Sequence, residues 1–149
     1  MSPRRRLPAA ASAGLLVLAL AACEKPSPLV TLVSSGNSVF SEAKVYCFEG
    51  QSVQQADCAA RAEQVKELRV RAGQPIGIDV DKEVAERGWL IEVGEGEQAQ
   101  QSNVFEDDHY FSFGYPIDRG QRVPLTIRTV GGEDPRAPTG EWSFVIVGE

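Results

Sequence analysis

Histidine and methionine are nearly missing from this sequence, which holds one of each, His109 and Met1. A blue-copper centre needs two histidines and a cysteine, commonly with a methionine, so that chemistry has no ligand set here. Cysteine is scarce too, at Cys23, Cys47 and Cys58. A structural zinc site would need two cysteines and a second nitrogen ligand beside His109, which the chain lacks. No G-x-S-x-G elbow presents a serine to His109, so that route to a Ser-His-Asp catalyst is missing. There is no internal repeat and no linker to a second domain, and 149 residues suit one domain. Basic charge is also short. Fifteen Lys and Arg less Arg4, Arg5 and Arg6 leave 12 against 21 acidic residues, a net charge of −9 beyond the leader. That excess argues against nucleic acid, which needs a basic face. It also argues against adhesion to anionic lipid by charge alone.

What is present begins with a targeting pattern. Arg4–Arg6 form a positive n-region, and Ala9 to Leu20 is an apolar run too short for a comfortable membrane span. Residues 1–22 therefore read as a signal peptide. Leu20, Ala21 and Ala22 precede Cys23. This segment resembles the lipobox of bacterial lipoproteins. The resemblance implies a diacylglycerol on the Cys23 thiol, cleavage before it, and a lipid anchor on the outer face of the cell membrane. Two or more acyl chains make such attachment stable, where one is marginal. Residues 23–28 then form the lipidated cysteine and a short tether, whose five residues Glu24 to Pro28 reach about 18 Å at most. With Cys23 set aside, Cys47 and Cys58 are an even remainder in an exported chain, which predicts a disulfide.

Residues 29–149 alternate with period two over most of their length. Leu29 to Val33, Val39 to Phe48, Trp89 to Val93, "HYFSFGY", "VPLTIRTV" and "WSFVIV" read as strands, with Gly, Pro, Asp and Asn between them. "LRVRAGQPIGIDV" reads as a hairpin around Ala72–Pro75. "QQADCAARAEQVKEL" is rich in helix formers and predicts the one short helix. Trp89 and Trp142 are expected in the core. About seven strands with regular turns predict an immunoglobulin-like antiparallel β-sandwich. The cysteine pair departs from true immunoglobulin domains, because it is local and precedes Trp89.

The sharpest polar cluster is Glu106, Asp107, Asp108 and His109. Asp107, Asp108 and His109 are weak candidates for a cation, since neighbours on a strand point to opposite faces. Asp79, Asp81 and Glu83 resemble a calcium loop, but Val84 stands where an EF-hand needs glycine. That stretch reads as a strand end entering a solvated turn. Gly94 to Ser102 reads as a polar hairpin connection. No metal, cofactor or catalytic residue is assigned.

"ACEKPSPLVTL", the cysteine pair, "IGIDVDKEVAERGWLIEV", "HYFSF", "VPLTI" and "GEWSFVIV" follow in order. In this order the chain is similar to a family of small actinobacterial lipoproteins grouped as a domain of unknown function. The resemblance implies export, lipidation and an envelope location, and brings no catalytic residues. The expectation is a non-catalytic binding or assembly module, held by the lipid on Cys23, whose partner is another envelope protein. An alternative is an exported inhibitor, since "VRAG…IGIDV…GW" resembles chagasin-like cysteine-protease inhibitors in outline. The chain lacks their Asn-Pro-Thr-Thr-Gly-Tyr loop, and the residues before Trp89 are charged. A further alternative is an envelope enzyme centred on His109.

Overall fold

Alternation of apolar and polar residues builds most of the chain into strands, whose inward positions meet in one core. The computed structural model describes residues 25–54, 58–61, 65–131 and 137–149. The strands are β1 (Leu29–Ser34), β2 (Asn37–Glu42), β3 (Val45–Tyr46), β4 (Ala59–Ala60), β5 (Lys66–Val70) and β6 (Pro75–Val80), then β7 (Trp89–Val93), β8 (Gln100–Gln101), β9 (Tyr110–Gly114), β10 (Arg122–Thr129) and β11 (Gly140–Gly148). Among the described residues a single α-helix, α1 (Lys82–Arg87), joins β6 to β7. A 3-10 turn at Gly96–Gln98 lies in the polar connection after β7.

Two sheets pack face to face. One has the order β2-β1-β6-β9 and the other β4-β3-β11-β10-β7-β8, with β5 added to β11. The core lies between them, where Leu32, Ile76, Ile78, Leu125, Ile127, Phe144 and Ile146 are sealed from solvent. Burying each such side chain stabilises the fold by about 1.5–3 kcal/mol. Trp89 and Trp142 are fully buried, as their strand spacing predicted. Phe111, Phe113 and Tyr115 are half-buried and pack on the rim of the core. The fold is the expected mainly β sandwich. Strands β1, β6 and β9 on one side and β7, β10 and β11 on the other follow the immunoglobulin-like order.

Two expectations need correction. The segment Leu68 to Val80 is not a hairpin. Gln74 donates to the Arg71 carbonyl and Gly73 has φ +75°, so a turn is present. The strands it joins enter different sheets, however: β5 runs parallel to β11, and β6 pairs with β1 and β9. Both strands still aim their apolar side chains inward, so period two could not tell a hairpin from a crossover between sheets.

The helix is also elsewhere. Of the predicted helical stretch, Ala59–Ala60 pair with Val45–Tyr46 and Lys66–Leu68 pair with β11, while residues 55–57 and 62–64 lie outside the described residues. Tertiary pairing there overrides the helix propensity of alanine and glutamate. The one α-helix among the described residues forms at Lys82–Arg87, within the stretch read as a solvated turn. Val84 and Ala85 are its buried residues. Glu83 in the first turn and Arg87 in the last suit the helix dipole, and Lys82 pairs with Glu86 at 3.3 Å. Gly88, at φ +80°, ends it by donating its N–H to the Ala85 carbonyl.

Candidate functional site

The end of the sandwich at which the chain enters is held by an unusual density of polar contacts. Ser27 and Pro28 are buried, although they precede the first strand. The Ser27 hydroxyl accepts the Ala43 N–H at 2.9 Å. The Pro28 carbonyl accepts the indole N–H of Trp142 at 3.0 Å, which ties the entering chain to the core. At Leu29 the backbone N–H donates to the Asp81 carboxylate at 2.6 Å, and the Leu29 carbonyl accepts the Asp81 N–H at 3.1 Å. Asp81 therefore serves the chain entry and leaves the first turn of α1 without a side-chain cap. Lys25 pairs with Glu83 at 3.0 Å and lies 5.0 Å from the centre of the Phe48 ring. The segment read as a tether is thus docked from Lys25 onward. A hollow of about 540 Å³ opens beside it, lined among others by Lys25, Pro26, Glu42 and Lys82.

Arg87 closes this end from the other side. Its guanidinium donates to the carbonyls of Cys47, at 2.6 Å, and Phe48, and lies 4.6 Å over the Tyr46 ring. Cys47 is disulfide-bonded to Cys58, with 4.8 Å between their Cα atoms. The bridge joins the end of β3 to the start of β4, the pair predicted from cysteine count. Tyr46 is sealed between Phe48, Trp142 and Arg87. Its hydroxyl is buried with no hydrogen-bond partner among the described residues. Burial pushes the Tyr46 hydroxyl above the ordinary tyrosine range, against the opposing pull of the Arg87 charge. It is held protonated, as an unpaired donor. Gly140 is required beside it, because a Cβ there would fall 2.6 Å from Tyr46 Cδ2 and 2.8 Å from Thr129 Oγ1.

The acidic segment before β9 is exposed and acts through its backbone. The Asp108 carbonyl accepts the Trp89 indole N–H at 2.8 Å, and the His109 carbonyl accepts the Val80 N–H at 2.9 Å. Asp107 donates its N–H to the Ala85 carbonyl and takes φ +60°. Among the described residues no group of three or more His, Cys, Asp or Glu side chains comes together to hold an ion. Cys23 and the segment Leu20–Ala22 lie outside the described residues. No described helix is long and apolar enough to cross a membrane. Sequence reasoning missed Arg87 and Ser27, and it read Asp81 as part of a solvated turn where the structure bonds it to Leu29. The only hint was a helix-terminal arginine placed directly before Gly88 and Trp89.

These features define a class: a β-sandwich domain of immunoglobulin-like strand order, with its entering chain and a local disulfide fastened at one end. The chain belongs to the family described as Protein of unknown function (DUF2771), whose profile matches residues 23–131. No curated protein and no solved structure matches the chain. The family match begins at Cys23 and takes in every strand except β11.

Proposed function

We propose that the protein is a lipid-anchored, non-catalytic binding module on the outer face of the cell membrane, where it holds or helps assemble another envelope component. The observation that carries this reading is the docking of Lys25–Pro28. A lipid on Cys23 would leave only Glu24 before Lys25, so slack between anchor and sandwich would be about 7 Å. Such a short connection suits a domain presented at a fixed height, not one that searches space. The order Leu20-Ala21-Ala22-Cys23 and the start of the family match at Cys23 support the same processing point. The net charge of −9 beyond the leader leaves attachment to the lipid and leaves nucleic acid out of the partner class.

The test compares the natural chain with Cys23→Ala in membrane fractionation, intact mass and crosslinked pull-downs from whole cells. The reading expects release from the membrane or loss of processing, and a partner recovered only with the anchored form. Unchanged fractionation and mass would refute the anchor. Loss of the anchor with no partner recovered from either form would refute the assembly role.

A further inference from the structure

The outward face of the four-stranded sheet carries a shallow groove of about 350 Å³, within the size range of small-ligand sites. Register builds it. Ser38, Val33, Gly77 and Ser112 stand opposite one another on β2, β1, β6 and β9, and so form one row across the face. Gly77 is the floor. A Cβ there would meet Val33 Cγ2 at 2.7 Å and collide with the Tyr110 hydroxyl. The phenol end of Tyr110 therefore lies on Gly77, and its ring lies across the sheet while 56% of the residue stays exposed. The β1–β2 turn forms the opposite rim. There Ser35 takes φ +49° before Gly36 at φ +83°, an uncommon conformation for serine. Ser34 donates to the Pro75 carbonyl at 2.9 Å and Asn37 to the Arg69 carbonyl at 3.3 Å, which fixes that rim.

The chemistry of the lining is selective. Val33, Pro75, two glycines, four serines, Asn37 and Tyr110 supply it, and no charged side chain does. That stands out in a chain with 24% charged residues. Ser35, Ser38, Ser112 and Tyr110 are exposed residues, and their hydroxyls bond to none of the described residues. A flat aromatic face beside free hydroxyls matches a ligand with apolar C–H faces and a girdle of hydroxyl groups. Asp79, opposite Tyr110 in the next row, can accept hydrogen bonds from hydroxyl groups and repels anions. The net charge of −9 beyond residues 1–22 repels anions further.

We infer that this groove binds a neutral saccharide, stacked on Tyr110 and hydrogen-bonded by the serines around Gly77. The inference gives the binding-module reading above a ligand class and rests on it. The test titrates the full chain, purified in detergent, with short cello-, malto-, manno- and xylo-oligosaccharides, and with uronate and sulfated oligosaccharides as anionic controls. The expected result is binding of at least one neutral series and of no anionic one. Tyr110→Ala should weaken it about tenfold or more, and Ser112→Asp comparably. Tyr110→Phe should retain most of it, and Val65→Ser, at an exposed position just before β5, all of it. Unfolding midpoints of each variant separate lost binding from lost fold, and Ser112→Asp, on an exposed position, decides if Tyr110→Ala unfolds. No neutral binding at millimolar sugar, or binding that survives both Tyr110→Ala and Ser112→Asp, overturns the inference. Anchor-dependent capture of an envelope protein without saccharide binding sinks the groove and leaves the module. Saccharide binding by a chain that Cys23→Ala does not release sinks the anchor and leaves the groove.

Discussion

Arg87 joins three elements through one guanidinium, and its neighbour Tyr46 carries an unpaired hydroxyl. Two carbonyls of the disulfide segment, at Cys47 and Phe48, take its N–H groups, and its plane covers the Tyr46 ring. Arg87→Met leaves both carbonyls without that donor, so stability should fall by about 2–3 kcal/mol. Arg87→Lys should recover no more than half, because one ammonium cannot span two carbonyls and stack on a ring. Urea midpoints of the three forms measure both, and equal midpoints would mean the fork contributes nothing. Tyr46 gives the opposite case. Its hydroxyl has no partner among the described residues, so Tyr46→Phe should be neutral or stabilising near neutral pH. The pH dependence has a definite sign. The folded Tyr46 pKa lies above the unfolded one, so the folded state holds its proton more tightly. This contribution is fully present below the unfolded value and is lost as pH rises from there through the raised folded value. Unfolding midpoints taken from neutral to alkaline pH should therefore fall more steeply for the natural chain than for Tyr46→Phe. Parallel curves would contradict this.

At the scale of elements, the disulfide holds β3 and β4 where they have only two residues each to pair. Closing an 11-residue separation should stabilise by about 2–3 kcal/mol. Cys47→Ser with Cys58→Ser should lower the thermal midpoint accordingly, and reductant should then no longer affect it. A double variant as stable as the natural chain would place the strength of that corner in Arg87 alone. The pair was legible in the sequence because cysteine counting needs no geometry. Strand positions were legible for a similar reason: Ile76, Ile78 and Val80 alternate with polar neighbours, and such a pattern fits only a half-buried strand. Which sheet a strand joins leaves no such mark. β5 and β6 have the same pattern as a hairpin, yet they lie in opposite sheets. α1 was hidden for a different reason. Six residues are too few for a helical period to show, and what holds it is packing of Val84 and Ala85 under the acidic segment. The groove over Gly77 was invisible because its row joins the β1–β2 pair to β6 and β9, which lie far along the chain.

For the whole molecule, on the proposed lipid attachment at Cys23, the decisive quantity is the distance between that anchor and the domain. The contacts of Lys25, Ser27 and Pro28 make the entering chain part of the sandwich. An anchored Cys23 would then hold the end that carries α1, the disulfide and the acidic segment against the membrane, while the turn Ser35–Gly36 lies at the far end of β1. The height of the groove above the lipid would thus be set by strand length and not by a flexible leash. An insertion of about ten Gly and Ser residues between Glu24 and Lys25 tests this, because it adds a mean reach of roughly 17 Å without touching the fold. Energy transfer from Trp89 and Trp142 to headgroup-labelled lipid should drop in vesicles carrying the inserted form. Membrane fractionation should stay the same, since the lipid is unchanged. If transfer does not change, the domain rests on the bilayer through contacts of its own, and the docked segment does not set its height. If the inserted form also loses a partner that the natural chain captures, presentation at fixed height is itself part of the function.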